Sequence, residues 1–92
     1  MPEFDVWVAG LRDNATRIRL LRRIGKAQRG NLGDVKPVGQ GVFEMREFFG
    51  PGWRMYYVRR GAALILMLGG GEKTSQRSDI AAAQSLAANL EE

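Results

Sequence analysis

Between residues 42 and 68 the chain alternates apolar and polar positions more regularly than anywhere else. Val42-Phe43-Glu44-Met45-Arg46-Glu47-Phe48-Phe49 leads into Gly50-Pro51-Gly52, then Trp53-Arg54-Met55-Tyr56-Tyr57-Val58-Arg59-Arg60, then Gly61. A period of two predicts half-buried strands. The Gly-Pro-Gly step predicts the tight reversal between them, with proline fixing one φ and the glycines admitting unusual ones. A third strand is expected over residues 62–68, where Leu64-Ile65-Leu66-Met67-Leu68 is continuously apolar, as in a strand covered on both faces. Alternation places Glu44, Arg46 and Phe48 on one face of the first strand and Arg54, Tyr56 and Val58 on one face of the second. Where those faces coincide, two arginines and a tyrosine meet on a short antiparallel sheet and offer a seat for a phosphate.

Helical periodicity brackets this centre. Residues 1–13 predict a helix with Phe4, Trp7, Val8 and Leu11 at i, i+3, i+4 and i+7, Pro2 in the first turn, and Glu3 and Asp5 favoured by the helix dipole. Asp13 or Asn14 then caps a helix over residues 15–29. At about 100° per residue its cations Arg19, Arg22, Arg23, Lys26 and Arg29 share one arc, opposite Ile18, Leu20, Leu21, Ile24 and Ala27. With no interleaved acid, that arc is a candidate surface for phosphate, joined by Lys36 in the loop expected over residues 35–41. The run Gly69-Gly70-Gly71-Glu72-Lys73-Thr74-Ser75 reads as a strand-to-helix loop that presents Lys73 at the open end of the sheet. It is not a nucleotide-binding G-x-x-x-x-G-K-[ST] loop, since Met67 and Glu72 stand where the glycines belong. A last helix, capped by Ser78 or Asp79, runs to about residue 89 with a shallow face of Ile80, Ala83, Leu86, Ala87 and Leu90.

Composition narrows the chemistry. Ninety-two residues support one domain, residues 1–92, with a modest core. The net charge of +4 divides into +6 over residues 1–60 (twelve Lys and Arg, six Asp and Glu) and −2 over residues 61–92 (two and four), so an anionic partner is expected for the front portion. No run reaches the roughly 18 apolar residues of a membrane span, and no leader pattern opens the chain, which gives the expectation of a cytoplasmic protein. Zero cysteines and zero histidines remove disulfides, thiolate metal sites and the commonest general base, so neither a metal nor another cofactor is expected. Acid–base chemistry is left to Glu, Asp, Lys, Tyr or the substrate itself.

The order of these elements and several local strings resemble the RelE/ParE superfamily of toxin–antitoxin toxins, in its HigB-like "addiction module killer protein" branch. The matching strings are Gly30-Asn31-Leu32-Gly33-Asp34-Val35-Lys36-Pro37-Val38-Gly39, Phe43-Glu44-Met45-Arg46, Gly50-Pro51-Gly52-Trp53-Arg54-Met55-Tyr56-Tyr57, Leu68-Gly69-Gly70-Gly71-Glu72-Lys73-Thr74-Ser75-Gln76 and Asp79-Ile80. The resemblance spans nearly the whole chain. It implies an α+β fold: a helical hairpin laid on a small twisted antiparallel sheet, with a C-terminal helix. Members of the superfamily begin with a strand that is missing or shortened here, because the first helix starts almost at Met1. A missing strand leaves a sheet edge open, and a homodimer or strand-swapped form is one way to fill it.

The resemblance further implies an mRNA endoribonuclease working at the ribosome, a type II toxin that stops translation. Its implied partners are mRNA and the ribosome, a cognate helix-turn-helix antitoxin, and operator DNA through that antitoxin, with no membrane. Carried over position by position, the family's site arginines fall on Arg46 and Arg54, its basic loop residue on Lys73, and an aromatic position on Tyr57. Glu44 stands where relatives carry a lysine, and the family's C-terminal tyrosine has no counterpart in residues 81–92. The expected catalytic set is therefore Arg46, Arg54 and Lys73 on the phosphate, with Glu44 or Tyr57 accepting the 2′-hydroxyl proton. The expected RNA- and ribosome-binding set is Arg19, Arg22, Arg23, Lys26, Arg29 and Lys36. Two alternatives stay open: a gyrase poison without catalysis, as in ParE, or a decayed toxin that only binds its antitoxin and DNA.

Overall fold

A computed structural model describes residues 1–61 and 64–90. Helices α1 (Pro2–Ala9) and α2 (Asn14–Gln28) precede strands β1 (Val35–Pro37), β2 (Phe43–Glu47), β3 (Trp53–Arg60) and β4 (Leu64–Glu72). A 3-10 turn, Lys73–Ser75, then leads into α3 (Gln76–Ala88). The strands form one antiparallel sheet in the order β1-β2-β3-β4. The fold is α+β, with the helical pair on one face and α3 on the other.

The period-two pattern of β2 and β3 explains this sandwich. Met45, Met55 and Tyr57 point to one face, where they join Phe4, Val8, Leu20, Ile24 and Ala27 in the core beneath α1 and α2. Tyr56 and Val58 point to the other, joining Val42, Leu68 and Ala83 beneath α3. Strand β4 serves both cores, as its apolar run predicts: Ile65 and Met67 face the helical pair, Leu68 and Leu66 face α3. A bulge between Tyr56 and Tyr57 leaves Leu68 without a cross-strand partner. The expected strand residues Ala62 and Ala63 lie outside the described residues.

Local sequence sets the element ends. Asp13 accepts the Ala15 amide (3.1 Å) and the Thr16 hydroxyl (2.8 Å), capping α2. Arg17 locks the preceding turn by donating to the carbonyls of Val8 (3.1 Å) and Leu11. Gly30 (φ 96°) and Gly33 (φ 69°) take the left-handed backbone that ends α2 and turns the chain into β1.

Four expectations are corrected. Residues 35–37, expected in a loop, pair with β2 as a short edge strand. The apolar arc of α2 is narrower than its periodicity implies: Leu20, Ile24, Ala27 and Thr16 are buried, but Ile18 and Leu21 are exposed. The last helix begins at Gln76, ahead of the expected Ser78 or Asp79 cap.

The fourth correction is that the three glycines are strand, not loop. Strand β4 runs through them to Glu72 because both of its faces must be bare there. A Cβ on Gly70 would overlap the ring of Trp7 on the α1 side. A Cβ on Gly71 would overlap the carboxylate of Asp79 on the α3 side. Gly69 meets nothing within 4 Å. Gly70→Ala is therefore expected to lower the free energy of unfolding in urea by about 1–3 kcal/mol through overpacking, and Gly69→Ala by less than about 1. Equal losses at the two positions contradict the role given to Trp7.

Candidate functional site

The β2–β3 register aligns the charged residues. Arg46 lies directly opposite Arg54, and Glu44 opposite Tyr56, all on the α3 side of the sheet. Both guanidiniums flank one exposed ring: the carbon of Arg46 is 5.5 Å and that of Arg54 5.6 Å from the centre of Phe48. Lys73 joins them through the reversal. Its amide donates to the Gly52 carbonyl (2.7 Å). The position of a Cβ on Gly52 is 3.4 Å from Lys73 Cβ and 3.6 Å from Arg54 Nη1. Gly52 (φ 83°) thus combines a left-handed backbone with the close approach of the Lys73 stem.

The cluster has an open half and an enclosed half. Lys73 is exposed and forms no ion pair among the described residues. Arg46 is partly exposed, its Nη2 3.1 Å from Asp34 Oδ1. Arg54 is only 4% exposed and its Nε lies 3.9 Å from Glu44 Oε1. Glu44 is fully enclosed, and its other oxygen accepts a hydrogen bond from Gln76 Nε2 (2.8 Å) at the start of α3. Beside it Tyr56 is equally buried. Burial, reinforced by the Glu44 charge, raises the Tyr56 pKa well above the ordinary tyrosine value. Glu44 Oε1, Arg54 Nε and the Tyr56 hydroxyl have no hydrogen bond of good geometry. This is an enclosed, under-bonded group of polar side chains behind an exposed cationic rim.

The remaining candidates separate. Tyr57 is not part of the cluster: it points to the opposite face of β3, is 1% exposed and stacks on Phe43 at 5.5 Å. Burial raises its pKa as well. Tyr57 therefore stands apart from the cluster, and Tyr56, which strand alternation put on the face of the arginines, is the tyrosine beside Glu44. Arg23 leaves the basic surface too. It folds inward to ion-pair with Glu47 and donates to the carbonyls of Leu32 (2.9 Å), Asp34 (3.0 Å) and Arg46 (3.0 Å). Arg19 caps the Phe49 ring at 3.9 Å. Arg22, Lys26 and Arg29 remain exposed on α2, and Lys36 is exposed on β1 opposite Glu44. Sequence reasoning missed Asp34, Gln76 and Asp79 as members of the site's surroundings. Their only signal was position, since long-range partners leave no local period.

The chain is 38% identical over 87 residues to a protein of Haemophilus influenzae (strain ATCC 51907 / DSM 11121 / KW20 / Rd) described as "Uncharacterized protein". The match spans 95% of this chain and 88% of that one, and the chain belongs to that protein's family. No protein-family model and no solved structure matches the chain.

Two outcomes follow from this geometry. Arg23→Ala removes the Glu47 ion-pair partner and a donor to three carbonyls, of which Asp34 keeps the Arg46 amide, and is expected to cost about 3 kcal/mol in chemical denaturation. Arg23→Lys is expected to recover only part of this, because an ammonium does not reproduce the fork. Both tyrosines ionise less readily folded than unfolded, so the unfolded state loses its protons first as pH rises. The stability contributed by the two neutral hydroxyls is therefore complete below about pH 10 and is lost as pH rises above it. Tyr56→Phe should leave stability at neutral pH unchanged or raised, since its hydroxyl has no good partner, and should make the alkaline loss of stability shallower. A slope unchanged in Tyr56→Phe contradicts the burial argument.

Proposed function

We propose that this chain is a RelE/ParE-like toxin that cleaves mRNA at the ribosome and is neutralised by a cognate helix-turn-helix antitoxin. The observation that carries the reading is the alignment of Arg46 against Arg54 with the Lys73 stem alongside, three cationic side chains at one end of the sheet. RNA cleavage asks little covalent help of a protein. The 2′-hydroxyl oxygen forms a bond to its own phosphorus, the bond from phosphorus to the 5′-oxygen breaks, the 2′ proton is lost and the departing oxygen gains one. A cyclic phosphate and a 5′-hydroxyl result. What must be supplied is alignment and stabilisation of charge on the phosphate oxygens. In this reading the partly exposed Arg46 and the exposed Lys73 meet the phosphate. Arg54, held from behind by Glu44, fixes the field of the site. Glu44 is enclosed and bonded by Gln76, so it serves as the counter-charge of Arg54, and the 2′ proton passes to water. The exposed α2 cations Arg22, Lys26 and Arg29, with Lys36, add a long-range pull on RNA.

The same enclosure of Glu44 favours a second reading, a binding protein without catalysis. In this form it poisons gyrase, or binds only antitoxin and operator DNA. Purified protein tested for cleavage of ribosome-bound mRNA and, separately, for inhibition of gyrase supercoiling distinguishes the two. On the nuclease reading, Arg46→Ala and Lys73→Ala each reduce the cleavage rate by about 10²–10³ with the melting temperature retained. Cleavage at the original rate in both variants removes the cluster from the reaction. Supercoiling inhibition without cleavage selects the second reading.

A further inference from the structure

Of the four phenylalanines, two tryptophans and two tyrosines, Phe48 alone is exposed among the described residues. It lies two residues beyond Arg46, just past the end of β2, is 67% exposed and belongs to neither hydrophobic core. Its neighbour Phe49 is half-buried against the core, and the Arg19 guanidinium covers its face at 3.9 Å. The Phe48 ring has no such cover. The guanidinium carbons of Arg46 and Arg54, at 5.5 and 5.6 Å from its centre, stand beyond the ~3.5–4.0 Å of stacked contact, so they flank the ring and leave room on it. The mounting is firm. The reversal that follows is closed by the Gly52 amide on the Phe49 carbonyl (3.1 Å) and tied to the 3-10 turn by the Lys73 amide on the Gly52 carbonyl (2.7 Å). A lone exposed apolar residue is ordinary on a protein surface. A ring flanked by two guanidiniums of a cationic cluster is a different matter, because a cluster that holds a nucleic-acid phosphate brings bases alongside.

We infer that Phe48 is a stacking platform for an unpaired nucleobase of the strand whose phosphate lies at Arg46, Arg54 and Lys73. Single-stranded nucleic acid is held by a cationic track for the backbone together with an aromatic ring for a base. Both parts stand side by side here. The ring offers apolar contact and no hydrogen bond, so it accepts any base, each of which has a π-face. A base reaches the ring only when it is unstacked from its neighbours, which makes the ligand single-stranded. The inference rests on the reading of the cluster as a nucleic-acid phosphate site. It is independent of whether the strand is then cut.

The test is calorimetric titration of the full chain with two single-stranded ligands, hexadeoxyadenylate and a hexamer of abasic deoxyribose phosphates that keeps the charge and lacks the bases. Neither has a 2′-hydroxyl, so neither is cut. Phe48→Ala is expected to weaken binding of hexadeoxyadenylate by about five- to a hundredfold, and to leave the melting temperature and the binding of the abasic hexamer unchanged. Its salt dependence should match the parent, since no phosphate contact is lost. Phe48→Trp should restore parental binding, a rescue that a merely structural role would not produce. Equal weakening of both ligands, or no weakening of either, overturns the inference, as does a failure of Phe48→Trp to recover binding. Arg46→Ala separates this from a failure of the phosphate reading. It is expected to weaken both ligands and to reduce the salt slope by about one. If it alters neither ligand, the phosphate reading falls and the inference falls with it. If it weakens both while Phe48→Ala weakens neither, the inference alone falls. A parent chain that binds neither ligand overturns both.

Discussion

The pairing of β2 with β3 in one register is the constraint on which the rest depends. It sets Arg46 against Arg54 and Glu44 against Tyr56, and a slip of β2 by one residue would send Glu44 and Arg46 to the face occupied by α1 and α2, away from Arg54 and Tyr56. The apolar set on that other face prevents the slip, with Met45 opposite Met55 and Phe43 stacked on Tyr57. Register is thus specified by hydrophobic burial on one side and used for charge on the other. A buried carboxylate beside a buried guanidinium contributes little net stability, yet removing either one leaves an uncompensated charge. Glu44 and Arg54 therefore persist as a pair, and the accessible cations Arg46 and Lys73 stand in front of it.

Strand β4 carries a second constraint. Glycines weaken strands, so three in succession need a reason. Here Trp7 lies on one face and Asp79 on the other, which brings α1 and the start of α3 close to the same backbone. Close approach of two elements to one stretch of backbone comes from a single sequence feature.

Much of this was legible in the residues. Alternation identified the two long strands and put Arg46, Arg54, Glu44 and Tyr56 on one side, because a period of two reports directly on which face is buried. Helical periodicity found both N-terminal helices and the C-terminal one. It misplaced Ile18 and Leu21, since a helix packed on only part of its apolar arc leaves the margin exposed. Arg23 was read as surface from its company on α2, but its partners lie on β2 and in the loop before β1, separations that no local pattern records. Strand β1 is too short to show a period. The glycine run was read as loop because glycine most often punctuates; only the three-dimensional neighbours Trp7 and Asp79 make it strand. Alternation put Tyr56, and not Tyr57, on the face of the arginines, because neighbours along a strand point to opposite sides.

The central claim is that one anion binds at the meeting of Arg46, Arg54 and Lys73. Side-chain NMR tests it most directly, by following the guanidinium and ammonium resonances as a non-cleavable, 2′-deoxy oligonucleotide is added. The account predicts that the signals of Arg46 and Lys73 move together along one saturation curve, that Arg54 responds with them, and that Arg46→Ala abolishes the response at Lys73. Shifts confined to Arg22, Lys26 and Arg29 on α2, with residues 46, 54 and 73 unmoved, would contradict it.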